Sequence, residues 1–254
     1  MKYSELKEFL DEKVEQYHKP EFIESDPIQI PHRFSVKEDI EISGFLTSLM
    51  AWGNRKMIIA KASGLMEMMG NSPYDFVMNY SENQFSKIED FKHRTMNPDD
   101  LTFFICSLKN IYTNHGGLEN AFKFSKTDVD SFNAIEHFRN IFLSVPHLNR
   151  SEKHLSSPAK GSAAKRLNMF LRWMVRSEKE GVDFGLWTAV SPAQLVCPLD
   201  VHSGNVARKL GLLSRQQNDW KAVSELNSEL IKLDPADPVK YDFALFGLGV
   251  FEGF

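Results

Sequence analysis

Two side chains able to do chemistry stand 35 residues apart in the stretch 157–214: Lys165, early in one helical pattern, and Asp200, just ahead of another. A lysine amine attacks an electrophile only when neutral, and burial or neighbouring cations such as Arg166 and Arg172 favour that form. A carboxylate at a helix N-terminus is held ionised by the helix dipole and by backbone N–H groups. Such an anion can take up a proton or oppose a developing positive charge. From Gly161 onward an apolar stripe of Ala164, Leu167, Phe170 or Leu171 and Met174 runs opposite a polar stripe of Lys165, Asn168, Arg172 and Arg176, which predicts an amphipathic helix. Asp200 precedes Val201, Val206 and Leu210 in a run closed by Gly211, the pattern of an N-cap. The plainer alternatives are a solvated helix face and a cap with no further role.

Charge singles out the same region. Between Arg150 and Lys179 eight Lys or Arg face only Glu152 and Glu178, so this window is +6 in a chain of −4 and the remainder is −10. A localised basic patch on an acidic chain suits a localised anionic partner, because phosphate contacts need a patch and not a basic chain.

GSAAKRLNMFL followed by PLDVHSGNVARKLGL resembles the helix-hairpin-helix DNA glycosylase superfamily, which includes endonuclease III and the archaeal 8-oxoguanine glycosylases. In that family a hairpin LPGVGxKTA delivers a lysine and a later VDTHVxRVxxRLGL segment an aspartate. Gly161 matches the first hairpin glycine, Lys165 the lysine, Asn168 a polar position beyond it and Asp200 the aspartate, with His202, Val206, Arg208 and Leu210 in the pattern that follows. Residues 44–59 and 240–247 resemble more weakly an early helix-loop-helix and the closing helix. The chain is also similar to an uncharacterised bacterial family within or beside this superfamily. Two departures stand out. Ala163 replaces the second hairpin glycine, where a tight turn close to a phosphate is expected, and the Lys165 to Asp200 spacing is nearer that of the archaeal branch.

The resemblance implies a two-lobed all-α fold with a cleft, and excision of a damaged base from double-stranded DNA, an oxidised purine being the expected substrate. Lys165 would be the Schiff-base nucleophile, Asp200 its carboxylate partner, and strand cleavage at the abasic site would follow. Lys160, Gly161, Ser162, Ala163, Ala164, Arg166, Arg172 and Arg55 are the implied DNA contacts, the hairpin amides holding a phosphate. Trp52, Asn54, Asn168, Phe184, Trp187 and His202 are the implied base pocket, since a flipped base needs aromatic faces. Read from sequence alone, Trp52 beside an apolar helix packs in the core, and Phe184, Asp183 and Trp187 are equally core residues. No metal or iron-sulfur cluster is expected, because the four-cysteine loop of many endonuclease III relatives is missing; a monovalent cation at the hairpin fits the family. The alternatives are a non-catalytic helix-hairpin-helix protein that binds DNA or a repair partner, and a helical protein unconnected with nucleic acid, which the overall acidity favours.

These residues need a scaffold, and 254 residues suffice for one large domain or two lobes. The expected lobes are 36–185, carrying the hairpin 155–166, and 1–35 with 186–254. Helices are predicted over 2–18, from a Ser35–Glu38 capping box to Met50, and over 55–69, 72–80, 98–113, 130–144, 217–232 and 237–250; Pro20, Pro27 and Pro31 predict a loop over 19–34. Strand signals are weak throughout, so the class is all-α. Cys106 and Cys197 sit in apolar contexts and read as buried thiols of a reducing cytoplasm. No signal peptide or membrane span is expected, and the oligomeric state is open.

Overall fold

The structure, a computed structural model, describes residues 2–176 and 181–254, so Glu178 and Lys179 of the basic window lie outside the described residues. Its helices are α1 (Tyr3–Tyr17), α2 (Glu21–Ser25), α3 (Lys37–Met50), α4 (Arg55–Met68), α5 (Pro73–Asn79), α6 (Pro98–Asn114), α7 (Leu118–Ala121), α8 (Phe132–Phe142), α9 (Lys165–Val175), α10 (Val201–Lys209), α11 (Trp220–Leu233) and α12 (Tyr241–Phe251). Among the described residues there is no strand, only isolated antiparallel bridges at His93–Met96 and Ser162–Asp219. The fold is all-α, and no described helix is long and apolar enough to cross a membrane.

Local chemistry explains most boundaries. Asn97 and Asp100 form a reciprocal capping box at α6, with Pro98 at the first helical position. At α3 the expected Ser35–Glu38 box does not form: Val36 is the N-cap and makes no side-chain cap bond. The prolines of 19–34 do not leave a plain loop, because Pro27 and Pro31 each open a single 3-10 turn, the one place where a missing N–H costs nothing.

The chain divides into two compact units. One comprises residues 25–123 and 134–156; the other comprises 1–24, 124–133 and 157–254. Residues 157–185 therefore group with the termini and not with the central lobe expected for them, which puts Lys165 and Asp200 in one unit.

In the unit of 25–123 and 134–156 the core is aromatic. Phe45, Phe103, Phe104, Phe122, Phe138 and Phe142 are buried, and Phe122 stacks on Phe138 with centroids 3.9 Å apart. Asp100, fully buried, accepts from Ser151 Oγ at 2.6 Å and Arg150 Nη1 at 2.9 Å.

In the other unit α12 packs against both α1 and α10. Small residues make room for this. A Cβ at Gly247 would lie 2.1 Å from the Tyr17 ring of α1, and one at Gly249 would lie 3.1 Å from His202 of α10. Helix α9 is buried along its length from Leu167 to Val175. Its polar stripe is turned inward: Asn168, Arg172 and Arg176 are all buried. The reading of that stripe as a solvated, phosphate-facing surface is thereby corrected. Burying cations requires carboxylates to meet them, and Arg172 holds Asp183 (Nε to Oδ1, 3.2 Å) and Asp242 (Nη1 to Oδ2), while Arg176 holds Asp237 (2.8 Å) and Asp183 (3.4 Å). His18 stays neutral among them, held down to about 3 by burial and by the charges of Arg176 and Arg172.

Candidate active site

Lys165 is the first residue of α9, and the segment that delivers it is a braced hairpin. Gly161 adopts φ +86°, where a side chain is strained. Ala163, expected to need glycine, lies outside the left-handed region; the second left-handed residue is the buried Ala164 at φ 45°. The departure from the family pattern at 163 thus carries no backbone cost. Nothing lies within 4 Å of a Cβ built at Gly161, so Gly161→Ala costs stability through conformation alone. A loss of about 1–2 kcal/mol is expected in urea unfolding.

Inside the hairpin, Asn168 donates from Nδ2 to the Ala163 carbonyl (3.1 Å) and accepts at Oδ1 from Ser131 Oγ (2.6 Å). This buried amide holds the backbone in place, so it braces the site and does not line a base pocket. The amides of Lys160, Gly161, Ser162 and Ala164 donate to Ser157 O, Pro158 O, Ser157 O and Ser162 Oγ. Of the amides expected to cradle a phosphate, those of Gly161, Ser162 and Ala164 are therefore occupied by the hairpin's own acceptors. Carbonyls of Ser157, Pro158, Gly161, Ala163 and Ala164 also accept hydrogen bonds within the unit, and a monovalent cation there would have to share them.

Asp200 caps α10 as its position implies. Its Oδ1 accepts from the amides of His202 (2.8 Å) and Ser203 (3.0 Å), and Ser203 Oγ accepts from the Asp200 amide (2.9 Å). The other oxygen faces the amine: Oδ2 lies 3.3 Å from Lys165 Nζ, with the lysine and aspartate side chains 29% and 23% exposed. One carboxylate thus closes a helix with one oxygen and faces an amine with the other. Burial alone would raise the Asp200 carboxyl, but the Lys165 ammonium and the Ser203 amide outweigh it and hold it below the usual carboxylate range. A depressed folded-state pKa contributes stability that is present above the unfolded value, about 4, and lost as pH falls through the folded one. Asp200→Asn should accordingly flatten the acid side of the stability–pH curve.

A second carboxylate lies behind the pair, and sequence reasoning missed it. Asp242 is buried; it accepts from Arg172 and, at 3.7 Å, from the Cys197 thiol. Burial pushes its carboxyl up, Arg172 and Lys165 oppose the rise, and Asp200 adds to it. The signal was a lone acid inside the apolar run KYDFALFG, since a charge there has to meet an opposite charge. Cys197 is buried as expected, whereas Cys106 is half-buried.

The remaining expected residues are dispersed. Arg172, 4% exposed, has its charge taken up by Asp183 and Asp242; it is neither a DNA contact nor an uncommitted cation beside Lys165. Trp187 is fully buried edge-on against Phe170, and Asp183 is buried between two guanidinium groups, so both are core residues and Trp187 lines no base pocket. Phe184 is half-buried, its amide donating to Trp173 O. His202 is exposed beside Asp200, Lys160 is exposed, and Arg166 is half-buried. Arg150 and Arg176 are also paired with carboxylates, so with Lys165 and Arg172 four of the eight cations of the basic window face carboxylates among the described residues.

Trp52, Asn54 and Arg55 belong to the other unit. Trp52 is 52% exposed, which corrects its reading as core, and the guanidinium of Arg94 lies 4.8 Å above its indole ring. Asn54 is the N-cap of α4, accepting from the Met57 amide at 3.1 Å, and Arg55 is half-buried.

Neither the curated proteins nor the solved structures include a match to this chain. A family model covers residues 26–251, nearly all of it, and the chain belongs to that family, described as a protein of unknown function (DUF2400).

Proposed function

We propose that the protein is a base-excision DNA glycosylase with abasic-site lyase activity, built on a two-lobed helix-hairpin-helix glycosylase-like fold. The observation that carries this reading is the Lys165–Asp200 pair. An amine and a carboxylate, delivered by the two segments that resemble that superfamily, stand 3.3 Å apart, partly open to solvent and each at a helix N-terminus.

In this reading the anomeric carbon of a flipped nucleotide lies beside both groups. The glycosidic bond breaks with its electron pair going to the departing base, and the carboxylate of Asp200 opposes the positive charge left on the sugar. Once the base has left, Lys165 passes its ammonium proton to the Asp200 carboxylate at 3.3 Å, its nitrogen lone pair forms the new N–C bond, and ring opening, in which the ring oxygen takes up a proton, yields a Schiff base. Loss of the neighbouring carbon-bound proton then expels the 3′ phosphate, and water releases the lysine. Arg172 is engaged internally, and the half-exposed Trp52 ring beneath Arg94 offers a face on which a base can stack.

Incubation with an abasic-site duplex under borohydride tests the reading. A covalent protein–DNA adduct is expected, and its absence would overturn the lyase. A panel of lesion duplexes, with an oxidised purine expected to be cut, identifies the base. For the DNA contact itself, Trp52 is half-exposed while Trp173, Trp187 and Trp220 are buried, so a ligand that stacks on the indole changes emission through Trp52. DNA should quench the wild type, and Trp52→Phe should abolish the change; an equal change in both proteins would place the DNA elsewhere.

A further inference from the structure

The hairpin that carries Lys165 and the cap that carries Asp200 come from segments far apart in sequence, yet the loop between α10 and α11 is bonded to both. At one end, Asn218 Nδ2 donates to the main-chain carbonyl of Asp200 at 2.8 Å, the same carbonyl that accepts the first helical bond from Gly204. At the other end, Asp219 pairs with Ser162 in an antiparallel bridge, and the Trp220 amide donates to Gly161 O at 3.1 Å. Three consecutive residues, Asn218 and Asp219 at the end of the loop and Trp220 at the start of α11, therefore touch both the Asp200 cap and the hairpin that leads to Lys165.

The loop is itself fixed. Arg208 of α10 donates to Asn218 Oδ1 (2.6 Å) and to the carbonyls of Arg215 (2.8 Å) and Gln216 (2.9 Å). Arg215 holds Asp219, whose Oδ1 also caps α11 through the Ala222 amide. Gly204 supplies the room: a Cβ there would lie 2.8 Å from Asn218 Oδ1 and 2.9 Å from Arg208 Nη1. These bonds satisfy both polar ends of the Asn218 amide.

We infer that Asn218 is a positioning residue for the Lys165–Asp200 pair, seated by Arg208 and by the gap at Gly204, so that the 211–219 loop sets the separation of amine and carboxylate. It touches the backbone of Asp200 and not the reacting atoms, so it acts through Asp200. The inference rests on the proposed lyase for its consequence in rate, but not for its geometry.

Two variants displace the amide by different routes: Asn218→Ala removes it, and Gly204→Ala pushes it off the helix while improving helix propensity. Both should form the borohydride adduct about ten- to a hundredfold more slowly than wild type, the effect of a displacement on the order of 1 Å in a reacting pair. In both, carboxyl NMR should show Asp200 titrating at higher pH, because it loses the company of the Lys165 ammonium. A merely structural bond would lower the melting temperature and leave that titration where it was. Unchanged titration of Asp200 in a folded variant overturns the inference, whatever the rate does, and so does a shifted titration with a wild-type trapping rate. Should the wild type form no adduct at all, the lyase reading falls, and the titration alone still decides whether Asn218 positions the pair.

Discussion

Arg172→Ala should unfold the terminal unit far more easily than wild type, by about 3–5 kcal/mol, the usual cost of removing one partner of a buried ion pair. The guanidinium is 4% exposed, is shared between Asp183 and Asp242, and lies 4.3 Å above the Phe243 ring. Among the described residues, alanine would leave the buried Asp242 with the weak Cys197 thiol as its donor, and would remove from Asp183 one of the guanidinium groups that face it. It would also open a cavity beside Phe243. The loss reflects stranded carboxylates more than a favourable pair, so Arg172→Met combined with Asp242→Leu should recover much of it, as replacement of both partners by apolar groups often does. Urea unfolding of the three proteins separates these terms. A single variant within about 1 kcal/mol of wild type would mean that the network is hydrated and the stripe on α9 faces water after all.

The second large effect concerns chemistry. Lys165→Ala should reduce the borohydride adduct on an abasic duplex to background, since the bond that is trapped is the one to its amine. Asp200→Asn should keep the α10 cap, because asparagine caps as well as aspartate, while removing the charge that faces Nζ at 3.3 Å. Its trapping rate should fall by about 100-fold or more, in line with the loss of one preorganised electrostatic group, with little change in fold. An adduct from Lys165→Ala at the wild-type rate would move the chemistry to another amine.

How far this was legible in sequence depends on what each residue must satisfy. Asp200 was, because a cap is a local matter: an acid, two amides beyond it and an apolar run. Lys165 was too, placed on a helix by the apolar periodicity that follows Gly161, and it opens that helix as the first residue of α9. The direction of the stripe behind it was not. Asn168, Arg172 and Arg176 fall on the same helical face as Lys165, and whether such a face meets water or carboxylates depends on Ser131, Asp183, Asp237 and Asp242, which periodicity along one helix does not report. Trp52 failed in the opposite sense: an aromatic next to an apolar helix ordinarily packs, but here the chain turns at Gly53, φ +107°, and the ring is left half-exposed beneath Arg94, which comes from a turn some forty residues on. The left-handed residue of the hairpin was misplaced by a single position, at Ala164 and not 163, since glycine counting assigns a turn only to within its neighbours.

The most direct test is to treat the wild-type protein with abasic duplex DNA and borohydride, digest the adduct and locate the modified residue by peptide mass spectrometry. The account predicts a reduced sugar adduct on Lys165; an adduct on any other lysine or on the N-terminal amine, or no adduct under conditions where a known lyase gives one, would contradict it.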